Sequence, residues 1–301
     1  MKILIGYDGS ECADRALNDL GRAGLPRDME AIVLSVAESW LPPPPPSSYE
    51  IVEAAFEGRA STAGESPEDR AARAIEDAFS MSHQASKLVE SRFPSWKVSA
   101  DACDGSPAWE LIERSEKWKA DLIVVGSHGR SALGRLILGS ISQRVVTEAP
   151  CSVRVARGNP EAKDGPVRLV IGVDGSASAD AAVQAVAARS WPEGSQVCLI
   201  TAVEGFQMYA VEPEDKFARV RLIQAAAEEP LRAAGLEVSS LIEEADPKHL
   251  LVKEAEAWKA DAIFVGARGL GRIGRLLLGS VSTAVVSRAH CSVEVVRPRL
   301  D

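Results

Sequence analysis

Continuous apolar runs alternate with amphipathic segments along the chain. KILIGYD (2–8) and DLIVVG (121–126) are apolar almost throughout, which is typical of strands buried on both faces of a sheet. Residues 106–121 and 141–149 instead place their apolar side chains on one helical face. The alternation predicts an α/β fold, with a parallel sheet covered by helices on both faces.

This pattern occurs twice, which indicates a duplication. The matching segments are KILIGYDGS (2–10) with RLVIGVDGS (168–176), WKADLIVVG (118–126) with WKADAIFVG (258–266), and PCSVRVAR (150–157) with HCSVEVVR (290–297). We therefore predict tandem domains at 1–157 and 167–301, each with five strands and four helices. The Gly-, Pro- and charge-rich segment 158–166 is the predicted linker.

The first copy is longer than the second. The early matches are offset by 166 residues and the late ones by 140, so the first copy carries 26 additional residues. They fall at about 41–69, where five consecutive prolines favour an extended polyproline segment. The insertion is interpreted either as a tolerated surface loop or as a lid or docking strap.

Composition narrows the class of protein. The net charge of −9 argues against sequence-independent binding of DNA or RNA, which needs a basic surface. No apolar stretch approaches the roughly 18 residues of a membrane span, and the N-terminus has no secretory apolar region. Five scattered cysteines without a CxxC pair suggest reduced thiols. We expect a cytoplasmic protein with neither nucleic acid nor membrane as partner.

Each copy contains a glycine-rich loop between a strand and a helix, GSHGRSALGRLILGS (126–140) and GARGLGRIGRLLLGS (266–280). Glycine lets backbone N–H groups approach phosphate oxygens, and a helix N-terminus adds unpaired N–H groups and partial positive charge. The hydroxyls of Ser140 and Ser142 are further candidate donors. Nearby positive charge comes from several loop residues: His128, Arg130, Arg135, Arg268, Arg272 and Arg275. The string is neither a P-loop nor a dinucleotide fingerprint placed after the first strand.

The spacing G-x2-G-x9-G-S, together with "DGS" after the first strand of each copy, resembles the universal stress protein family. The resemblance covers nearly the whole chain as two tandem domains. It implies Rossmann-like, doubly wound domains, each a five-stranded parallel sheet of order 3-2-1-4-5. It also implies binding of ATP, or of ADP or AMP, between strands 1 and 4.

The resemblance assigns a binding role to two matching sets of residues. In copy one they are Asp8, Gly9, Val36, Gly105, Gly126, His128, Gly129, Arg130, Gly139, Ser140, Ile141 and Ser142. In copy two they are Asp174, Gly175, Ala202, Gly266, Arg268, Gly269, Gly279, Ser280, Val281 and Ser282. The loop residues would hold the phosphates, Val36 and Ala202 the adenine, and the two aspartates the ribose, the adenine edge or a nucleotide-bound Mg2+.

The copies depart from the family pattern near the base and ribose. Copy two has Ala245 where copy one has Gly105, and copy one has Ser106 where the family usually has an acid. Either change is expected to weaken one site.

No cluster of catalytic residues is evident. The histidines are scattered and lack metal-ligand spacing, and a single carboxylate makes a poor dedicated metal site. The leading hypothesis is a stress-response or signalling protein whose bound nucleotide changes the surfaces shown to partners. A ligand-free interaction protein and a slow ATPase stay open as alternatives.

The last strand of each copy alternates apolar and polar residues, which predicts an edge strand. Domains of this family commonly dimerise through that strand, so the tandem is expected to form the same antiparallel pair internally. Arg154 and Glu294 would then face each other, contributing roughly 0.2–1 kcal/mol as a cross-strand pair. Whether two chains also form a homodimer is left open.

Overall fold

A computed structural model describes residues 1–38, 67–129, 138–158, 165–203, 213–269 and 278–298. Most of the predicted insertion at about 41–69 and of the predicted linker lies outside these ranges. The loop arginines at 130, 135, 272 and 275 lie outside them as well.

The two halves contain the same series of elements. The first comprises β1 (Lys2–Gly6), α1 (Glu11–Asp19), β2 (Glu30–Ala37), α2 (Pro67–Arg92), β3 (Lys97–Asp104), α3 (Pro107–Trp118), β4 (Leu122–Gly126), α4 (Ser140–Glu148) and β5 (Ser152–Ala156). The second comprises β6 (Arg168–Gly172), α5 (Ala177–Ala187), β7 (Gln196–Ala202), α6 (Pro213–Ala233), β8 (Glu237–Glu243), α7 (Pro247–Ala257), β9 (Ala262–Gly266), α8 (Ser280–Arg288) and β10 (Ser292–Val296). A 3-10 turn at Leu20–Arg22 follows α1.

Each half has the predicted parallel sheet. The strand order is β3-β2-β1-β4-β5 in the first half and β8-β7-β6-β9-β10 in the second, so the expected order 3-2-1-4-5 is confirmed twice. The two sheets are not separate, however. They join edge to edge through β5 and β10 into one ten-stranded sheet, in which the predicted edge strands occupy the centre.

The apolar core differs between the two faces of this sheet. On the face covered by α3, α4, α7 and α8, one continuous cluster runs across both halves and includes Val153, Val155, Val293 and Val295. On the opposite face, each half has its own cluster. Burial of strand side chains on both faces explains why β1, β4, β6 and β9 are almost uninterrupted apolar runs. In the described part of the chain, no helix is both long and apolar enough to span a membrane.

The centre of the sheet is an antiparallel pair between the halves. Arg154 lies directly opposite Glu294, with valines paired on either side. The Nη1 atom of Arg154 is 3.4 Å from Oε2 of Glu294. The sequence-based prediction that these residues face each other across a pseudo-twofold axis is confirmed.

The sequence did not predict how deeply that pair is buried. Arg154 and Glu294 are fully buried, because they point into the gap between the two separate clusters. Nε and Nη2 of Arg154 donate to the carboxylate of Asp19 over 2.5 and 3.2 Å, and Arg189 pairs with Glu294. Four buried side chains, Asp19, Arg154, Glu294 and Arg189, thus alternate in charge; we call them the charge quartet.

Two neighbouring side chains also contact the charge quartet. The hydroxyl of Ser292 donates to Asp19 over 2.8 Å, and both arginines lie within 6 Å of the ring of Phe264. Burial by itself would lower the pKa of Arg154, but the carboxylates of Asp19 and Glu294 outweigh it and raise that pKa above its usual value. The guanidinium is therefore held firmly in its charged form.

The quartet cannot be assembled from two identical halves. The repeat places Ala185 where the first half has Asp19, and Ala23 where the second has Arg189. A pair of first halves in the same register would bring two copies of Arg154 together, and a pair of second halves two copies of Glu294. Like charges in a dry interior repel strongly, so the charges favour the pairing of unlike halves.

Replacing Arg154 should destabilise the fold severely. Arg154→Met keeps much of the side-chain volume but leaves Asp19 and Glu294 without their shared partner. Stranding a buried charge in this way costs about 3–5 kcal/mol. Urea denaturation should therefore show a lower free energy of unfolding.

A matched control is available on α4. Arg144→Met removes an arginine whose pair with Glu148 is exposed, and such i,i+4 pairs contribute only about 0.3–0.5 kcal/mol. Equal losses in the two variants would contradict the structural role given to the quartet.

Candidate nucleotide site at the carboxyl ends of the strands

The predicted site residues gather where the sheet changes direction. The chain leaves β1 to one side to form β2 and later crosses to the other side to form β4, so the carboxyl ends of β1 and β4 border a crevice. The same arrangement recurs at β6 and β9. We call residues 8–9, 126–129 and 138–142 site one, and residues 174–175, 266–269 and 278–282 site two.

The aspartate after the first strand meets the glycine-rich loop in both halves. Oδ1 of Asp8 accepts the N–H of Ser10 over 3.0 Å. Its Oδ2 lies 2.8 Å from the point that a Cβ on Gly129 would occupy, and Oδ2 of Asp174 lies 2.7 Å from the equivalent point on Gly269. A side chain at either glycine would displace the carboxylate. The fold thus brings the aspartate and the loop glycine, which are far apart in sequence, into close contact.

Two helices begin at these loops, and each has a glycine at its N-cap. Gly139 and Gly279 are the N-cap residues of α4 and α8, and among the described residues no side chain caps either helix. By contrast, α1 and α5 are capped by Ser10 and Ser176, whose hydroxyls accept an N–H of the first turn over 3.2 Å. The first amide groups of α4 and α8 thus lack the side-chain partner that stabilises most helix starts.

The serines of the G-S motif divide into two kinds. Ser140 and Ser280 begin the helices and are exposed. Ser142 and Ser282 are buried, and their hydroxyls donate to the carbonyls of Gly126 and Gly266 over 2.7 and 2.6 Å. These buried hydroxyls tie each helix to its strand, so the backbone N–H is the donor that residues 142 and 282 offer to a ligand.

The neighbouring hydrophobic positions serve the core. Ile141 and Val281 are half-buried against the continuous apolar cluster. Their side chains anchor the first helical turn, and only their amide groups remain for a ligand.

The glycine that ends the fourth strand is required by internal packing. A Cβ on Gly126 would lie 2.8 Å from the carbonyl carbon of Cys12, and one on Gly266 would lie 2.5 Å from that of Ser178. The first helix of each half therefore begins directly against this glycine. Gly139 and Gly279 are constrained too, since each donates its N–H back to the loop, to Ser127 or Ala267, over 2.8 Å.

The turn glycines also have a conformational reason. Gly9 and Gly175 have φ angles of 73° and 78°, and Gly105 has 139°, where a side chain is unfavourable. A Cβ on Gly105 would in addition lie 2.8 Å from Oε1 of Glu110. Ala245, the counterpart of Gly105, does not have a positive φ angle, which is a local difference between the halves.

The predicted adenine positions lie at the ends of the second strands. Val36 pairs with Cys103, and Ala202 pairs with Glu243; both are half-buried. In the first half, burial and the neighbouring carboxylate of Glu110 raise the pKa of Cys103 to about 12. This thiol is neutral at physiological pH, so the first half presents a neutral group where the second has a carboxylate.

Positive charge near the loops differs between the sites. His128 is half-buried, and its Nδ1 lies 2.9 Å from the hydroxyl of Ser127. The equivalent residue, Arg268, is half-buried and accepts a hydrogen bond from Ser176 at its carbonyl. Within the described ranges no group of three or more potential metal ligands occurs. Asp8 and Asp174 each offer one carboxylate for a nucleotide-bound Mg2+, which fits a ligand-borne metal better than a resident one.

Several structurally important residues escaped sequence reasoning. Asp19 and Arg189 are near helix ends, where isolated charges are usually solvated. Arg157 and Arg297 directly follow the fifth strands of the two repeats and contact the opposite half. A signal was present, because both copies close this strand with arginine, in RVAR and EVVR.

Comparison with known proteins decides the family. The model of the universal stress protein family matches residues 1–157 and again residues 167–297. The chain belongs to the universal stress protein family.

Several relatives match this chain over nearly its whole length. A universal stress protein of Mycolicibacterium smegmatis is 29% identical over 99% of this chain and 97% of its own length. The universal stress protein Rv2005c of Mycobacterium tuberculosis is 26% identical over 98% and 96%. Among solved structures, a universal stress protein from Archaeoglobus fulgidus covers 98% of both chains with 22% identity and a TM-score of 0.67. The fold of the family thus extends over both halves.

Adding one methyl group to either strand-end glycine should destabilise the protein without any ligand. In Gly126→Ala or Gly266→Ala, the new Cβ would meet backbone atoms that cannot rotate away. Overpacking of this kind costs typically about 1–3 kcal/mol. Thermal unfolding of the ligand-free variants measures the loss.

Gly21→Ala is the matched control, because nothing lies within 4 Å of its Cβ position. We expect it to leave stability unchanged or slightly raised. Wild-type stability in the Gly126→Ala variant would show that the strand-end glycine is not required by packing.

Proposed function

We propose that both halves of this universal stress protein bind an adenine nucleotide, ATP in preference, with the phosphates at the N-termini of α4 and α8. The observation that carries the proposal is the repeated pair of helix starts whose first amides have no side-chain cap. They lie beside a strand-end aspartate at the switch point of each half-sheet. Helix N-termini of this kind are favourable environments for phosphate.

The phosphate end of the ligand would be held mainly by backbone. The amides of residues 140–142 and 280–282 are the donors, and the exposed hydroxyls of Ser140 and Ser280 add two more. His128 and Arg268 supply nearby side chains, together with Arg130 by sequence. Local donors of this sort allow an acidic protein to bind an anion despite its net charge of −9.

The nucleoside end would lie over the carboxyl ends of β1 and β2. Asp8 and Asp174 would accept a hydrogen bond from the ribose or bind a Mg2+ carried by the phosphates. Gly9 and Gly175 turn the chain away from that space, and Val36 and Ala202 border the base. Because the second copy has Ala245 at the position of Gly105, we expect the two sites to differ in affinity.

Nucleotide occupancy would act by changing which surfaces the protein presents to partners. A ligand shifts a conformational equilibrium only as far as it binds one state better, and the two loops are the segments in direct reach of the phosphates. This mechanism requires binding, and turnover is not needed. ATP hydrolysis lost on Asp8→Ala would favour the slow-ATPase alternative.

A ligand-free interaction protein is the second candidate, and one observation favours it. In the two glycine-rich loops, each glycine with a described environment already makes a close contact within the protein: Gly126, Gly129, Gly139, Gly266, Gly269 and Gly279. The glycine spacing alone therefore does not require a phosphate.

Introducing a negative charge at each helix start distinguishes the two candidate functions. In Ser140→Glu with Ser280→Glu, a carboxylate is placed at the first residue of each helix, where it is favourable for the helix. It would repel a phosphate within a few ångströms by on the order of 1–4 kcal/mol per charge. Calorimetric affinity for ATP should fall roughly tenfold or more at each site, with unchanged thermal stability.

The neutral variants Ser140→Gln and Ser280→Gln are the matched controls and should retain most of the affinity. Native mass spectrometry of the intact wild-type protein gives the identity and number of bound nucleotides. Wild-type protein that neither carries nor binds an adenine nucleotide would overturn the proposal and favour the ligand-free alternative.

A further inference from the structure

The two halves exchange a reciprocal pair of arginines across the central strands. Arg157 follows β5 and Arg297 follows β10. Their backbone N–H groups donate to Ser292 and Ser152 of the other half, each over 3.1 Å. This symmetry fixes where each guanidinium enters the opposite half.

Each guanidinium lies at the C-terminus of a helix in the opposite half. That helix begins at the candidate site of the opposite half. Nη2 of Arg297 donates to the carbonyls of Val146 and Thr147 in the last turn of α4, over 2.6 and 3.2 Å. Nη1 of Arg157 donates to the carbonyls of Ala289 and Ser287 at the end of α8, over 2.6 and 3.4 Å. A cation that satisfies the last carbonyls stabilises a helix end and its dipole.

Both helices are short rigid connections between arginine and site. α4 and α8 have nine residues each, so about 13 Å separates the bonded carbonyls from the first amides. The start of α4 is fixed to the strand by the hydroxyl of Ser142, and its end by Arg297. The orientation of the site-one amides therefore depends on a side chain from the second half.

Arg297 also lies beside the site of its own half. The carbonyl of Val296, just before Arg297, accepts the N–H of Ala267 over 2.9 Å, and the carbonyl of Ala267 accepts the N–H of Gly279. Two backbone hydrogen bonds thus connect the helix start of site two to Val296, and the next residue, Arg297, reaches the helix end of α4 with its side chain.

The two contacts are unequal. Arg297 uses both terminal nitrogens, with Nη1 reaching the carbonyl of Cys151 over 3.4 Å. Arg157 is bonded through Nη1 alone at its side chain, and its buried Nε and Nη2 have no partner within the described part of the chain. Burial lowers the pKa of both guanidinium groups, so each depends on its carbonyls in place of water. The contact on α4 is the better satisfied of the two.

We infer that Arg297 is a positioning residue for site one, and Arg157 for site two, each acting in trans through the helix it caps. The inference rests on the proposed nucleotide binding and deepens it, because neither half forms its complete site without the other. The effect on site one is the larger.

The test measures each site separately in the full-length protein. Ser280→Glu leaves only site one available, and Ser140→Glu leaves only site two. Calorimetry with a non-hydrolysable ATP analogue is then repeated after Arg297→Met, Arg297→Lys and Arg157→Met. Arg297→Met should weaken site one by roughly fivefold or more, within the usual range of coupling between sites, and leave site two within about twofold.

Three further variants test whether the effect on site one is specific to the loss of the Arg297 guanidinium. Arg297→Lys keeps a cation near the carbonyls and should restore much of the site-one affinity, whereas Arg157→Met should weaken site two by less. Arg144→Met, on the exposed face of α4, should change neither site. Hydrogen exchange of the amides in the last turn of α4 should accelerate in Arg297→Met alone.

The outcomes separate the two proposals. If Arg297→Met weakens both sites equally, or neither, the trans-acting role is wrong while nucleotide binding stands. Wild-type protein without any affinity for the analogue overturns the proposed function, and this inference with it.

Discussion

The antiparallel pair of β5 and β10 is the constraint on which the rest of this structure depends. It turns two five-stranded sheets into one sheet of ten strands and makes the apolar core continuous on one face. On the other face it buries a cation and an anion, Arg154 and Glu294, which are tolerable only because Asp19 and Arg189 complete their neutralisation. The first half supplies Asp19 and Arg154, and the second half supplies Glu294 and Arg189. The charges therefore favour a pairing of unlike halves.

The same central pair connects the interface to the candidate sites. α4 and α8 begin at the glycine-rich loops and end against arginines of the opposite half. In this tandem universal stress protein, the sites are therefore parts of one unit. The described glycines of the loops permit close packing of strand, loop and helix. Internal packing by itself requires a glycine at Gly126 and Gly266, which is why a glycine motif alone does not establish a ligand.

Much of the fold and part of the site followed from sequence. The repeats, the apolar strands and the helical faces predicted a parallel sheet covered by helices in each half. The strand order and the facing of Arg154 and Glu294 followed from the resemblance to the family. The meeting of Asp8 with the loop after β4 followed from parallel topology, because carboxyl ends of neighbouring strands share one edge. The buried hydrogen bonds and ion pairs were harder to predict from the sequence. The buried hydroxyl of Ser142 was expected to face a ligand, and Asp19 resembled any charge at a helix end.

Local pattern determined what each segment of this chain is, because periodicity and turn chemistry act over a few residues. Tertiary structure alone decided which charges are dry, since burial depends on what two segments far apart in sequence place on either side of a residue. Alternation in CSVRVAR marks one face of a strand as polar, and it reads the same whether that face meets water or a second charged strand. Only the docking of the halves brought Arg154 and Glu294 together beside Asp19, at the end of α1, and Arg189, just after α5. That docking also extended Arg157 and Arg297 to the helix ends of the opposite half.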